Sequence, residues 1–134
     1  MVLQSLAGLP AFLVYFATGV LLIIAYLFVY TKITPHDEFD CIRRNVPGAA
    51  VSLGLSMVGF ALPVASAMGH AANVVDCLIW GVIALAVQIA VYYLARIPIP
   101  NLSQRITDGE WAPAIWLGLA SVTGGLISAA SMSL

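Results

Sequence analysis

Four stretches of this chain contain no Asp, Glu, Lys or Arg: residues 1–31, 45–75, 77–95 and 111–134. Each holds a continuous apolar run of about 19–24 residues, and about 20 residues in a helix cross the hydrocarbon core of a bilayer. The runs lack the apolar/polar alternation of a membrane β-barrel strand. In lipid, a helix satisfies its backbone polar groups within its own segment, whereas an open sheet does not. The pattern therefore predicts an all-α membrane protein, a single transmembrane domain over residues 1–134. Its four transmembrane helices are expected at about 10–31, 47–69, 74–97 and 111–133. The first run lacks a basic leader and is much longer than the apolar core of a signal peptide, so it is expected to stay as a helix.

The chain resembles itself. Gly19-Val20 and Val29-Tyr30 recur 62 residues later as Gly81-Val82 and Val91-Tyr92. Leu53-Gly54-Leu55 recurs 64 residues later as Leu117-Gly118-Leu119, and eight of the twenty positions from Ala49 to Met68 match their partners at that offset. The expected arrangement is two helical hairpins as parallel repeats, about 10–70 and about 74–134. Both enter from the same side, so the inverted repeats that point to many transporters are missing.

Composition agrees with immersion in lipid: 62% hydrophobic and 8% charged residues, against about 45–50% and about 25% in soluble domains. A net charge of −1 gives no reason to invoke nucleic acid. The five basic residues (Lys32, Arg43, Arg44, Arg96 and Arg105) all fall in the first and third connections. Short loops rich in Lys and Arg stay cytoplasmic, so both termini and the 69–76 turn are expected outside. Cys41 and Cys77 then lie on opposite faces, too far apart for a disulfide. No Asp, Glu, Lys or Arg falls at mid-depth, which weakens the case for a charge-coupled transporter.

The inner connections carry signs of short interfacial helices. Thr34-Pro35-His36-Asp37 has the form of a helix start, with Thr as the N-cap and Pro at the first position. Phe39, Ile42 and Val46 share a face suited to a membrane surface. Asp40 stands within ion-pair reach of Arg43 and Arg44. Phe39, Ile42, Arg43 and Arg44 are the candidate contact surface for a cytoplasmic protein partner. Pro98 and Pro100 end the third helix, and Leu102 and Ile106 are expected to lie on the membrane surface beyond it.

The polar residues inside the spans are small and aligned. Gly48, Ser52, Ser56, Gly59, Pro63 and Ser66, with His70 beyond them, fall in one narrow arc of the second helix. Such a stripe reads as a helix-packing seam or as the lining of a pore. Pro63 removes the helical donor to the Gly59 carbonyl and bends the helix, either as a static kink or as a hinge. Gln88, at mid-depth in the third helix, must face protein or water. It reads as interhelical glue or as part of a polar path. The repeat pairs it with Tyr26, and Tyr92 with Tyr30. The fourth helix has small residues on two faces: Ala114, Gly118, Ser121, Gly125 and Ser128 on one, Ala120, Thr123 and Ala130 on the other. A helix small on both sides suggests protein on both sides, hence a homo-oligomer.

Reactive groups converge poorly. His36, Asp37, Glu38, Asp40 and Cys41 read as a solvated helix start, and His70, Asn73 and Asp76 as an outer polar turn. No phosphate loop, nucleophile elbow or spaced metal motif is present. No catalytic residues, cofactor or metal are expected.

Tyr30-Thr31-Lys32-Ile33-Thr34-Pro35-His36 followed by Glu38 resembles the inner-loop signature of the YjfL-like bacterial inner-membrane proteins. Ala49–Leu53, Gly59–Pro63, Trp80–Leu85, Gln88, Gly124-Gly125 and Ser128–Ala130 fit the same pattern. The resemblance covers nearly the whole chain. It implies a duplicated two-helix domain of unknown function in the plasma membrane, and it points to envelope maintenance. It carries over no ligand or catalytic residue. The expected role is a non-enzymatic, homo-oligomeric structural or partner-binding subunit. The alternative is a small oligomeric channel or permease, lined by the stripe and Gln88.

Overall fold

A computed structural model describes residues 2–34 and 38–132. Seven helices follow one another: α1 (Val2–Leu6), α2 (Leu9–Ile33), α3 (Glu38–Arg43), α4 (Pro47–His70), α5 (Val74–Arg96), α6 (Leu102–Thr107) and α7 (Trp111–Met132). The described residues contain no strand. Four helices among them are long and apolar enough to cross a membrane, the first counted from Val2 through Ile33.

Local chemistry sets the helix ends. Pro10 and Pro47 stand in the first turns of α2 and α4, where the missing N–H costs nothing. Thr34 closes α2. Its N–H and its hydroxyl both bond back to the Tyr30 carbonyl, at 3.0 and 3.2 Å. The expected helix start at Thr34-Pro35-His36-Asp37 thus falls partly on residues 35–37, which lie outside the described residues. At the opposite end, Asn73 caps α5 by accepting from the Asp76 N–H at 2.9 Å. Asp76 returns the favour by accepting from the Ala72 N–H at 3.1 Å. Asn101, at φ +57°, turns the chain into α6.

The most extensive pairing is α4 with α7. Helix α5 packs against both, and α2 lies across α4 and α5. The short helices pack on the ends of the spans, α3 against α4 and α6 against α7. Leu102 and Ile106, expected on the membrane surface, are instead buried in the core, because their face of α6 docks on the bundle. The core runs along this junction through Leu22, Tyr26, Leu53, Phe60, Ala84, Tyr92 and Leu117. Large apolar side chains such as Leu13, Phe16, Leu21, Val82 and Ile127 remain exposed on the outer surfaces. In water such a surface would drive association; in lipid it is the face that solvates the protein.

Candidate functional site

The stripe on α4 is turned inward, against α7. Gly48, Ser52, Ser56, Gly59 and Pro63 are buried, and Ser66 is half-buried. The facing residues are Ala114, Gly118, Ser121, Gly125 and Ser128, all buried. A β-carbon on Gly48 would stand 3.2 Å from Ala114 Cβ, and one on Gly118 would stand 2.6 Å from Leu55 Cδ1. At the centre the helices touch through backbone alone. A β-carbon on Gly59 would collide with the Ser121 carbonyl, and one on Gly125 would fall on the Gly59 carbonyl oxygen. Toward the far end, Ser66 donates to the Ala129 carbonyl at 3.0 Å.

The hydroxyls of the stripe are mostly spent within α4. Ser52 donates to Ala49 O at 3.2 Å and Ser56 to Leu53 O at 2.9 Å. Gln88 enters the seam from α5, where its Nε2 donates to the Ser121 carbonyl at 3.1 Å. Its Oε1 is buried and has no hydrogen-bond partner. That oxygen lies beside Gly124, 3.2 Å from where a β-carbon there would stand.

Next to Gln88, toward the end that carries α3 and α6, the interior turns aromatic. The Tyr26 ring stacks on Phe60 at 4.5 Å between centroids. Tyr30 meets Tyr92 edge-on at 5.4 Å. All four rings are fully buried. Tyr92 Oη lies 3.5 Å from Ser103 Oγ on α6. The Tyr26 and Tyr30 hydroxyls both face Ser56, yet neither attains hydrogen-bonding geometry with any group.

Glu38 corrects the reading of the inner acidic cluster as a solvated helix start. It is 1% exposed and lies within electrostatic reach of Tyr26, Tyr30 and Tyr92. The cause is the spacing within α3, where Glu38 and Cys41 share the face that packs on the bundle, and both are buried. Phe39, Ile42, Arg43 and Arg44 occupy the exposed side. Arg44 pairs with Asp40 at 2.9 Å. The pattern of the sequence gives no sign of the roles of Glu38 and Ser103; only the docking of the short helices buries them.

The remaining polar candidates are occupied structurally. His70 Nδ1 bonds the Ser66 carbonyl at 2.8 Å, while Asn73 and Asp76 form the cap of α5. Cys41 and Cys77 are free and buried. Among the described residues no three His, Cys, Asp or Glu side chains converge as metal ligands would. In the third connection Arg105 is held by Glu110 through bonds of 2.9 and 3.1 Å, and this hydrogen bonding pushes its pKa further up.

Residues 4–132 match the family described as Domain of Unknown Function (DUF350). The chain is 37% identical over 131 residues to the UPF0719 inner membrane protein YjfL of Escherichia coli (strain K12), covering 98% of this chain and 99% of that protein. The protein of the same name from Escherichia coli O157:H7 matches to the same extent. No solved structure matches.

Proposed function

The chain belongs to the DUF350 family, and from that premise we propose that it is a homo-oligomeric, non-enzymatic subunit of the bacterial inner membrane. It binds further copies of itself through its spans and a cytoplasmic partner through its inner loops, in the service of envelope maintenance. The inner-membrane location rests on the name of its Escherichia coli relatives.

The observation that carries this reading is the two-sided character of α7. One small-residue face is fully used against α4. On the other side Thr123 and Ala130 remain exposed. Small residues permit close helix approach in lipid, and uncovered they favour a second protein surface over acyl chains. Phe39, Ile42, Arg43 and Arg44 form an exposed apolar and basic surface suited to a partner.

The subunit is a duplicated hairpin whose short helices rest on the inner membrane surface. Support for the duplication comes from helix starts: Glu38 and Leu102 are 64 residues apart, as are Pro47 and Trp111. The repeat-related Tyr30 and Tyr92 also touch. The stripe on α4 serves as a packing seam, because backbone contact at Gly59 leaves no lumen there.

Cysteine cross-linking in a background lacking Cys41 and Cys77 tests the assembly. Thr123→Cys and Ala130→Cys are expected to give disulfide dimers in native membranes, while Val82→Cys, on an exposed face of α5, does not. A chain that remains monomeric at every position overturns the reading. Replacing Phe39, Ile42, Arg43 and Arg44 together tests the loop surface, and an unchanged set of co-purified proteins argues against it.

One observation favours a second reading, the oligomeric channel or permease. Among the described residues, Tyr26 Oη, Tyr30 Oη and Gln88 Oε1 are buried and have no hydrogen-bond partner. Each such group costs about 1–3 kcal/mol when dry, so water or a small polar solute in this recess would stabilise it. Flux of ions or small solutes through the purified protein in liposomes supports this reading, and its absence removes it.

A further inference from the structure

The end of α5 leaves one cation uncommitted. Helix C-termini expose carbonyls that a terminal Arg often caps, but here other donors have taken the last three. Leu94 O accepts from the Ile97 N–H at 3.2 Å and Arg96 O from the Ile99 N–H at 3.3 Å. Ala95 O accepts from the Trp116 indole at 2.9 Å. The Arg96 guanidinium is therefore not needed by the last three carbonyls of its own helix. It also has no acidic partner among the described residues, whereas Arg44 and Arg105 are paired with Asp40 and Glu110.

Arg96 is instead held over two aromatic faces, 5.6 Å from the Tyr92 ring and 5.8 Å from the Tyr93 ring. Beside it lies a cavity of about 240 Å³, lined by Arg96, Tyr93, Ile97, Asn101 and Leu102 among others. Its rim is apolar and exposed: Ile97 is 76% and Tyr93 48% accessible. A planar guanidinium suits bidentate contact with a phosphate, and Asn101 supplies a neutral polar side chain at the same cavity. Cation and apolar rim together, at the end of a spanning helix, match an amphiphile at headgroup depth.

We propose that the cavity between the end of α5 and the start of α6 binds the headgroup of an anionic phospholipid, with Arg96 on the phosphate and Tyr93 and Ile97 along the glycerol and first acyl carbons. This goes beyond bulk solvation by the bilayer, since it assigns one site and one charge class. It is independent of the oligomeric reading.

Native mass spectrometry of the full chain, released from vesicles of equal phosphatidylglycerol and phosphatidylcholine, tests the site. The expected result is at least a fivefold preference for retained phosphatidylglycerol. Arg96→Gln reduces it to parity, and Arg105→Gln leaves it unchanged. A photoreactive phosphatidylglycerol is expected to label residues 93–102. Excess inorganic phosphate leaves the lipid in place; displacement by it would mean a free-anion site and overturn the proposal. So would a wild-type chain without preference, or an Arg96→Gln chain that keeps it. Should Arg96→Gln lose helix content, Ile97→Glu, an exposed change that sets an acid at the cavity rim, is expected to abolish the preference in a folded chain. A preference that survives Ile97→Glu also overturns the proposal.

Discussion

The carbonyl oxygen of Gly59 stands where a β-carbon on Gly125 would be. Pro63 explains why that oxygen is available. It sits four residues on, inside α4, and has no N–H to offer the Gly59 carbonyl. The freed acceptor is turned instead toward the Cα of Gly125, in the manner of the Cα–H···O contacts found where helices approach closely. Proline on one helix and glycine on the other thus solve one problem together.

Gly125→Ala should therefore disrupt the α4–α7 seam. The expected cost is about 1–3 kcal/mol, as for other overpacking changes. It is measured as a lower midpoint in SDS unfolding of the detergent-purified protein. Gly54→Ala and Gly69→Ala, where a β-carbon meets nothing within 4 Å, should leave the midpoint unchanged or raise it by up to about 1 kcal/mol through helix propensity.

Tyr26→Phe and Tyr30→Phe each remove a buried hydroxyl that has no hydrogen-bond partner. In a dry interior each change is expected to raise stability by about 1 kcal/mol, read from the same unfolding curve. A loss of stability would instead mark water bound in the recess and favour the channel reading.

Gln88→Leu removes the bond to the Ser121 carbonyl together with an unpaired oxygen. Interhelical hydrogen bonds in membranes average about 0.6 kcal/mol. A net change below about 1 kcal/mol is expected, with no loss of assembly in cross-linking. Collapse of the fold would show that the amide does more than join α5 to α7.

Topology is checked with reporter fusions. Alkaline phosphatase at either terminus is expected to be active and a green fluorescent reporter dark, because the basic connections stay inside. A fluorescent C-terminal fusion overturns this orientation.

The spans were readable because lipid imposes a long, uncharged apolar run on any helix that crosses it. Runs ending at Thr31 and Ala95 carry the first and third long helices to within two residues of their ends at Ile33 and Arg96. The stripe from Gly48 to Ser66 was also visible, since small residues at helical spacing stand out against Leu and Val. What it faces was not: periodicity gives a direction on one helix and says nothing of its neighbour. Glu38 was the hardest to place. An acid beside Asp37 and Asp40 has the sequence signature of solvated surface, and its burial depends on how a six-residue helix docks. The Arg96 cavity was equally hidden, because it depends on how the turn through Asn101, at φ +57°, brings Leu102 back beside Tyr93 and Arg96.

The edge-on meeting of Tyr30 with Tyr92 has a consequence in time. The two rings are separated by 62 residues of chain, about 3–12 s of synthesis at ~5–20 residues per second. Through that interval the first helix is already made while the ring that will cover it is not. The phenol of Tyr30 lies three residues from the end of α2, near the interface where tyrosine is at home. Tyr30 therefore spends that interval near the end of α2 without the ring that later covers it.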